Sequence, residues 1–201
     1  MNFDTKYLVR WGIPGWILIM ILGPFTFFQF REDVLEILKA VNALALGAFL
    51  TVLGVPLGYM LNQIHHSLFW VVRLFKFSSE IKRQDGWYDY FKKEIQLDKH
   101  FYNATTSEKI EISKMKQERY RYLLSRKHEL GGLMVSLFIA TLVILGIILL
   151  KGLVRDWWSI WSWIYLGVTS ILLVLITMSR WYSSKNIDMY FKELLKEANR
   201  P

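Results

Sequence analysis

Four stretches of this chain carry no charged residue for twenty positions or more, and that limits its fold more than any other feature. Residues 11–30 are uncharged between Arg10 and Arg31, and residues 40–72 between Lys39 and Arg73. Residues 130–150 are uncharged between Glu129 and Lys151, and residues 157–179 between Asp156 and Arg180. A helix of about 20 apolar residues crosses a hydrocarbon core of roughly 30 Å. The third stretch is the purest, with fourteen Leu, Ile, Val or Phe, each favouring insertion by about 0.3–0.6 kcal/mol at the helix centre. With 53% hydrophobic residues in a chain of 201, too little polar sequence remains to cover these stretches in a soluble fold. The first stretch has no small-residue cleavage site before its end, so it is expected to be retained.

Basic residues set the expected orientation. The connections 31–39 and 151–156 hold two Lys or Arg each, whereas residues 65–130 hold fourteen and residues 180–201 hold five. The positive-inside rule puts the two short connections outside as tight turns, and the N-terminus, the middle segment and the C-terminus in the cytoplasm. Trp157, Trp158, Trp161 and Trp163 cluster at the outer start of the fourth stretch, where indole rings favour the headgroup layer. The expected architecture is all-α: a polytopic membrane protein with four transmembrane helices, two before and two after a basic helical cytosolic module. Residues 1–64 would form one transmembrane hairpin with spans near 11–30 and 40–62. Residues 65–130 would form the cytosolic module. Residues 131–179 would form the second hairpin with spans near 131–150 and 158–179, and residues 180–201 a cytosolic amphipathic tail.

Within the module, Asp85-Gly86 is a turn signal that would stop a continuation of the second span. Thr105 with Glu108 fits a capping box that opens a charged helix, with Gly131-Gly132 as a bend before the third span. In the tail, Ile187, Tyr190, Phe191, Leu194 and Leu195 recur at helical spacing.

The second span carries small residues on one face: Ala43, Gly47, Thr51, Gly54 and Gly58, with Gly132, Ser136 and Ala140 as a shorter counterpart in the third. Small residues let backbones approach where lipid supplies no hydrophobic drive for association. Asn42, Gly47, Thr51, Gly54, Pro56 and Gly58 are therefore the candidate helix-packing or pore-lining residues, with Pro56 a candidate hinge. Four helices are too few to enclose a wide path, so a pore would require a homo-oligomer. No Asp, Glu, Lys or Arg lies in the middle of any span, which argues against a proton pump or ion-coupled carrier. With no cysteine, disulfides and thiolate metal sites are excluded, and no cofactor or metal is expected.

Residues 65–130 hold fourteen Lys or Arg against nine Asp or Glu. Rings stand beside cations at Trp87 with Lys92 and Lys93, and in Arg119-Tyr120-Arg121-Tyr122 followed by Arg126 and Lys127. Rings offer stacking platforms and cations follow phosphates, which suits a single-stranded nucleic acid and suits lipid headgroups as well. Lys82, Arg83, Trp87, Lys92, Lys93, Arg119, Arg121, Arg126 and Lys127 are the candidate ligand-binding residues, for a nucleotide, an oligonucleotide or a partner protein.

Arg121 and His128, with six residues between them, resemble the Arg-x(4–6)-His pair of the HEPN ribonucleases, which implies two such pairs meeting in a dimer and a histidine assisting RNA cleavage. Position 122 is Tyr, where that family tends to have a small polar or basic residue. In layout, size and charge the whole chain resembles the small membrane effectors of prokaryotic anti-phage systems, such as the membrane partners in Kiwa and Hailong defence. That resemblance implies a non-enzymatic channel or membrane-disrupting effector in a bacterial or archaeal inner membrane. A membrane anchor for a cytosolic partner and a membrane-bound nuclease are the competing expectations.

Overall fold

The structure is a computed structural model that describes residues 5–68, 92, 94–97, 99, 107–155 and 159–198. Among these residues every regular element is helical: α1 (Thr5–Gln29), α2 (Arg31–Ala40), α3 (Ala43–His66), α4 (Ser107–Arg155) and α5 (Ile160–Ala198). The segments Trp11–Gln29, Leu44–His66, Ile110–Gly152 and Ile160–Glu197 are long and apolar enough to cross a membrane, and the chain is a membrane protein on that basis. Asp85-Gly86, Trp157-Trp158 and Thr105 lie outside the described residues.

Three boundaries differ from the sequence expectation. Residues 31–39 are not a tight turn but form a ten-residue helix, α2, followed at once by α3. Arg31, Glu32, Leu35, Glu36, Leu38, Lys39 and Ala40 are good helix formers, and Glu32 and Asp33 in the first turn with Lys39 in the last complement the helix dipole. Gly131-Gly132 does not separate two helices, because α4 continues through both glycines for 49 residues. The C-terminal amphipathic segment is likewise no separate helix, since α5 runs unbroken from Ile160 to Ala198. Neither junction contains a proline or an N-capping turn, so nothing interrupts the i→i−4 ladder.

The chain divides into two compact units, Met1–His65 with Glu129–Met178, and His66–His128 with Ser179–Pro201. In the first unit α1 is the shared partner. Its contacts with α3 run in opposite directions along the two helices. Trp11 meets Tyr59 edge-on at 5.6 Å, and Trp16 Nε1 donates to Thr51 O at 2.8 Å. Towards α4 they run in the same direction: Ser136 Oγ donates to Pro14 O at 2.8 Å, and Phe25 packs with Ile144 and Ile148. Towards α5 they reverse again, with Tyr165 packed on Phe25 and Ser162 bonded to Gln29. Two apolar clusters fill the spaces: Leu18, Leu61, Val135 and Ala140 at one level, and Phe25, Ile144 and Ile148 at another.

Pro14 and Pro24 lie inside α1, and Pro24 removes the ladder bond to Met20 O and crowds the preceding turn. In the adjoining turn Tyr165 OH donates to Ile21 O at 2.7 Å and Thr26 Oγ1 to Leu22 O at 2.7 Å, each as an additional bond to its carbonyl. At the same end, Lys151 Nζ donates to Gln29 O, Gln29 Nε2 to Ser162 Oγ, and the Lys151 ammonium sits 4.2 Å from the Phe30 ring centre.

The second unit has its own core of Leu97, Tyr120, Ile187, Phe191 and Leu194, joining α4 and α5 to the helical residues 94–97.

Candidate functional site

The alternation Arg119-Tyr120-Arg121-Tyr122 is separated by helix geometry, because successive residues turn by about 100° around α4. Tyr120 points inward. It is buried, stacks on Phe191 at 5.8 Å, and its hydroxyl donates to Glu94 Oε1 at 2.7 Å. A ring held in this way offers no face to a base. Arg119 is exposed, with its guanidinium 5.2 Å from the centre of the Tyr190 ring, a cation–π distance. Tyr190 OH donates to Lys116 O at 3.2 Å.

Lys127 is mostly buried, with its ammonium 3.9 Å from Asp188 Oδ1, and Lys116 pairs with Glu197 at 2.6 Å. Arg121, Tyr122 and Arg126 stand apart from this packing. All three are exposed, Tyr122 to 61%, and among the described residues no ion pair engages either arginine. Tyr122 and Arg126 are four residues apart on one face, with Arg121 a quarter-turn away. Towards the start of α4 the same strip carries Glu111, Lys114 and Glu118, so positive charge is concentrated at Arg121 and Arg126. Lys92 is also exposed, whereas Lys82, Arg83, Trp87 and Lys93 lie outside the described residues.

Arg121 and His128 fall on one face of α4, two turns and about 10 Å apart along its axis. The His128 ring is half-buried and stacks on His66, with centroids 4.5 Å apart and planes at 25°. Among the described residues no three His, Cys, Asp or Glu side chains are grouped to hold a metal. His65 is fully buried beside Gly131, where a Cβ would lie 2.6 Å from its Cδ2. The ring explains why a glycine is needed at that point of α4.

The small-residue face of α3 divides into two halves. Gly54 and Gly58 are buried against α1, where a Cβ on Gly15 would lie 2.6 Å from Gly58 N and 2.9 Å from the Gly54 carbonyl carbon. The Gly-x-x-x-Gly spacing here lets the two backbones touch. Gly47 and Thr51 are exposed, and a Cβ at Gly47 would meet nothing within 4 Å. The Thr51 hydroxyl is turned back to Gly47 O at 2.8 Å. Asn42 caps α3, its Oδ1 accepting from Leu44 N at 2.9 Å. Pro56 is exposed, on the side of α3 away from Gly54 and Gly58. In α4, Gly132, Ser136 and Ala140 are all buried, and a Cβ at Gly132 would lie 3.0 Å from both Asn62 Cγ and Pro14 Cγ.

Two sets of residues escaped the sequence reading. Gly15 forms the other side of the α3 seam and Pro14 meets Gly132 and Ser136 of α4, and the only signal was a Gly and a Pro in adjacent positions inside an apolar run. Arg180, Ser183 and Asp188 are buried polar residues on α5. They share a face with Ile187 and Phe191, which becomes visible only when the helical wheel is carried back from the tail into the fourth span. No protein family, curated protein or solved structure matches this chain.

Proposed function

We propose that the chain is a homo-oligomeric channel or pore effector of a prokaryotic cytoplasmic membrane, gated by an anionic ligand at its basic module, with both termini in the cytoplasm. The observation that carries this reading is α4. One hydrogen-bonded helix bears the exposed Arg121–Tyr122–Arg126 group near its start and a span of fourteen large aliphatic or aromatic residues near its end. Cations flanking an exposed ring suit a phosphate next to a base, as in a nucleotide or a short single strand. The open outer half of the α3 seam, at Gly47 and Thr51, supports self-association, since one chain has too few helices to surround a pore. The role in anti-phage defence and the absence of enzymatic activity rest on the layout resemblance alone. Metal ions and cofactors have no part in the proposal.

Planar-bilayer recording of purified protein, with and without short single-stranded DNA or RNA, tests it. Ligand-dependent conductance is expected, and it is lost in R121E/R126E. Protein that never conducts, but whose capture of a cytosolic partner is abolished by the same charge reversal, would instead be a membrane anchor.

A further inference from the structure

The helix α2 is amphipathic, yet the chain covers only the centre of its apolar face. Val34, Leu35, Ile37, Leu38 and Val41 fall within about 160° of arc at 100° per residue. Val34 and Leu38, mid-arc, are half-buried. Leu35, Ile37 and Val41, on the flanks, are 37%, 57% and 40% exposed. Glu32, Asp33, Glu36 and Lys39 occupy the other side, and of the charged residues Arg31 alone, exposed at the first position of the helix, falls within the apolar arc.

Its tethers determine what meets those flanks. Only Phe30 separates α2 from α1, and only Val41 and Asn42 separate it from α3. The α1–α3 contacts run antiparallel, so the end of α1 and the start of α3 lie at the same end of the hairpin. A ten-residue helix is about 15 Å long, and its linkers reach no more than about 7–11 Å. A helix held at both ends by two spans leaving the same membrane face lies along that face. Phe30 is fixed beneath the Lys151 ammonium, and Asn42 is engaged in capping α3, which sets both exits.

We infer that α2 is an in-plane helix whose Leu35 and Ile37, with Val41 at its C-terminal cap, sit in the acyl–headgroup boundary of the bilayer. This occupant is continuous with the lipid-facing surfaces of the adjoining spans. Burial of such a face is typically about 5–10 Å into the boundary. Charge sets α2 apart from a basic surface-binding helix. Two cations (Arg31 and Lys39) against three acids (Glu32, Asp33 and Glu36) leave a net −1, so apolar burial holds it and anionic lipid adds nothing. The inference is independent of what the basic module binds.

The chain has no cysteine, so single-cysteine variants carry one label each. The full-length variants L35C, I37C, E32C and E36C are labelled with an environment-sensitive fluorophore and reconstituted in phosphatidylcholine vesicles. Labels at 35 and 37 are expected to emit at shorter wavelength. Bromine placed just below the lipid carbonyls should quench them at least twofold more than labels at 32 and 36, equally with or without phosphatidylglycerol. Equal quenching at all four positions would overturn the inference. So would blue-shifted labels at 35 and 37 that bromolipid does not quench but lipid dilution exposes, because a second copy would then cover α2. The four side chains replaced are exposed, so the fold is retained, and far-UV circular dichroism of each variant checks this.

Discussion

Replacing Gly15 by Ala places a methyl group between two backbones. Its carbon would lie 2.6 Å from Gly58 N and 2.9 Å from the Gly54 carbonyl carbon, where ordinary contacts begin at 3.4 Å. The obstructing atoms are main chain, so no side chain can swing aside, and α1 and α3 must part by roughly 1 Å along the seam. Separation also weakens the neighbouring bond from Trp16 Nε1 to Thr51 O. Overpacking of a close-packed interface costs about 1–3 kcal/mol. The expected loss for G15A is therefore about 2 kcal/mol, measured as unfolding of the purified protein by SDS titration in mixed micelles, followed by tryptophan fluorescence. G47A is the internal control. It lies on the same face of α3, meets nothing within 4 Å, and should be neutral or slightly stabilising through helix propensity. If G15A unfolds within about 0.5 kcal/mol of the unmodified protein, the seam is not a close backbone contact and the argument fails. If G47A leaves the monomer stable yet breaks the oligomer, the open half of the seam is where subunits meet.

Y165F removes a donor to Ile21 O, three residues before Pro24, and should cost about 1 kcal/mol in the same titration, whereas Y182F, at an exposed position, should cost nothing measurable. F191A empties the centre of the second unit's core and should cost about 3–5 kcal/mol, read by thermal unfolding, while Y122A should leave the melting curve unchanged. G131A drives a methyl group into the fully buried His65 ring and should destabilise the protein by about 1–3 kcal/mol, whereas G167A, with open space around it, should not. If Arg121 and Arg126 each hold one phosphate of a single strand, R121Q/R126Q should lower the salt slope of binding by about 1.4, from about 0.7 per contact, and an unchanged slope would free them of that role.

The four apolar segments, and hence membrane residence, were legible in the sequence alone, because the cost of moving a side chain from water into hydrocarbon is a property of that side chain and sums along a window. The apolar face of the tail was legible for a related reason: Ile187, Phe191 and Leu194 recur with the helix period and do form a core. What only the tertiary structure decided are properties of pairs. Gly47 and Gly54 look alike in sequence, yet one faces open space and the other the backbone of α1, because the helices touch along only part of their length. Tyr120 and Tyr122 share chemistry and neighbours, but about 200° of helix rotation buries one ring against Phe191 and leaves the other exposed. Asn42 was one polar residue among several until the start of α3 gave its side chain an orphan amide to accept from. Single-residue energies place a segment in its solvent, whereas the packing partner across the gap determines what each residue in it does.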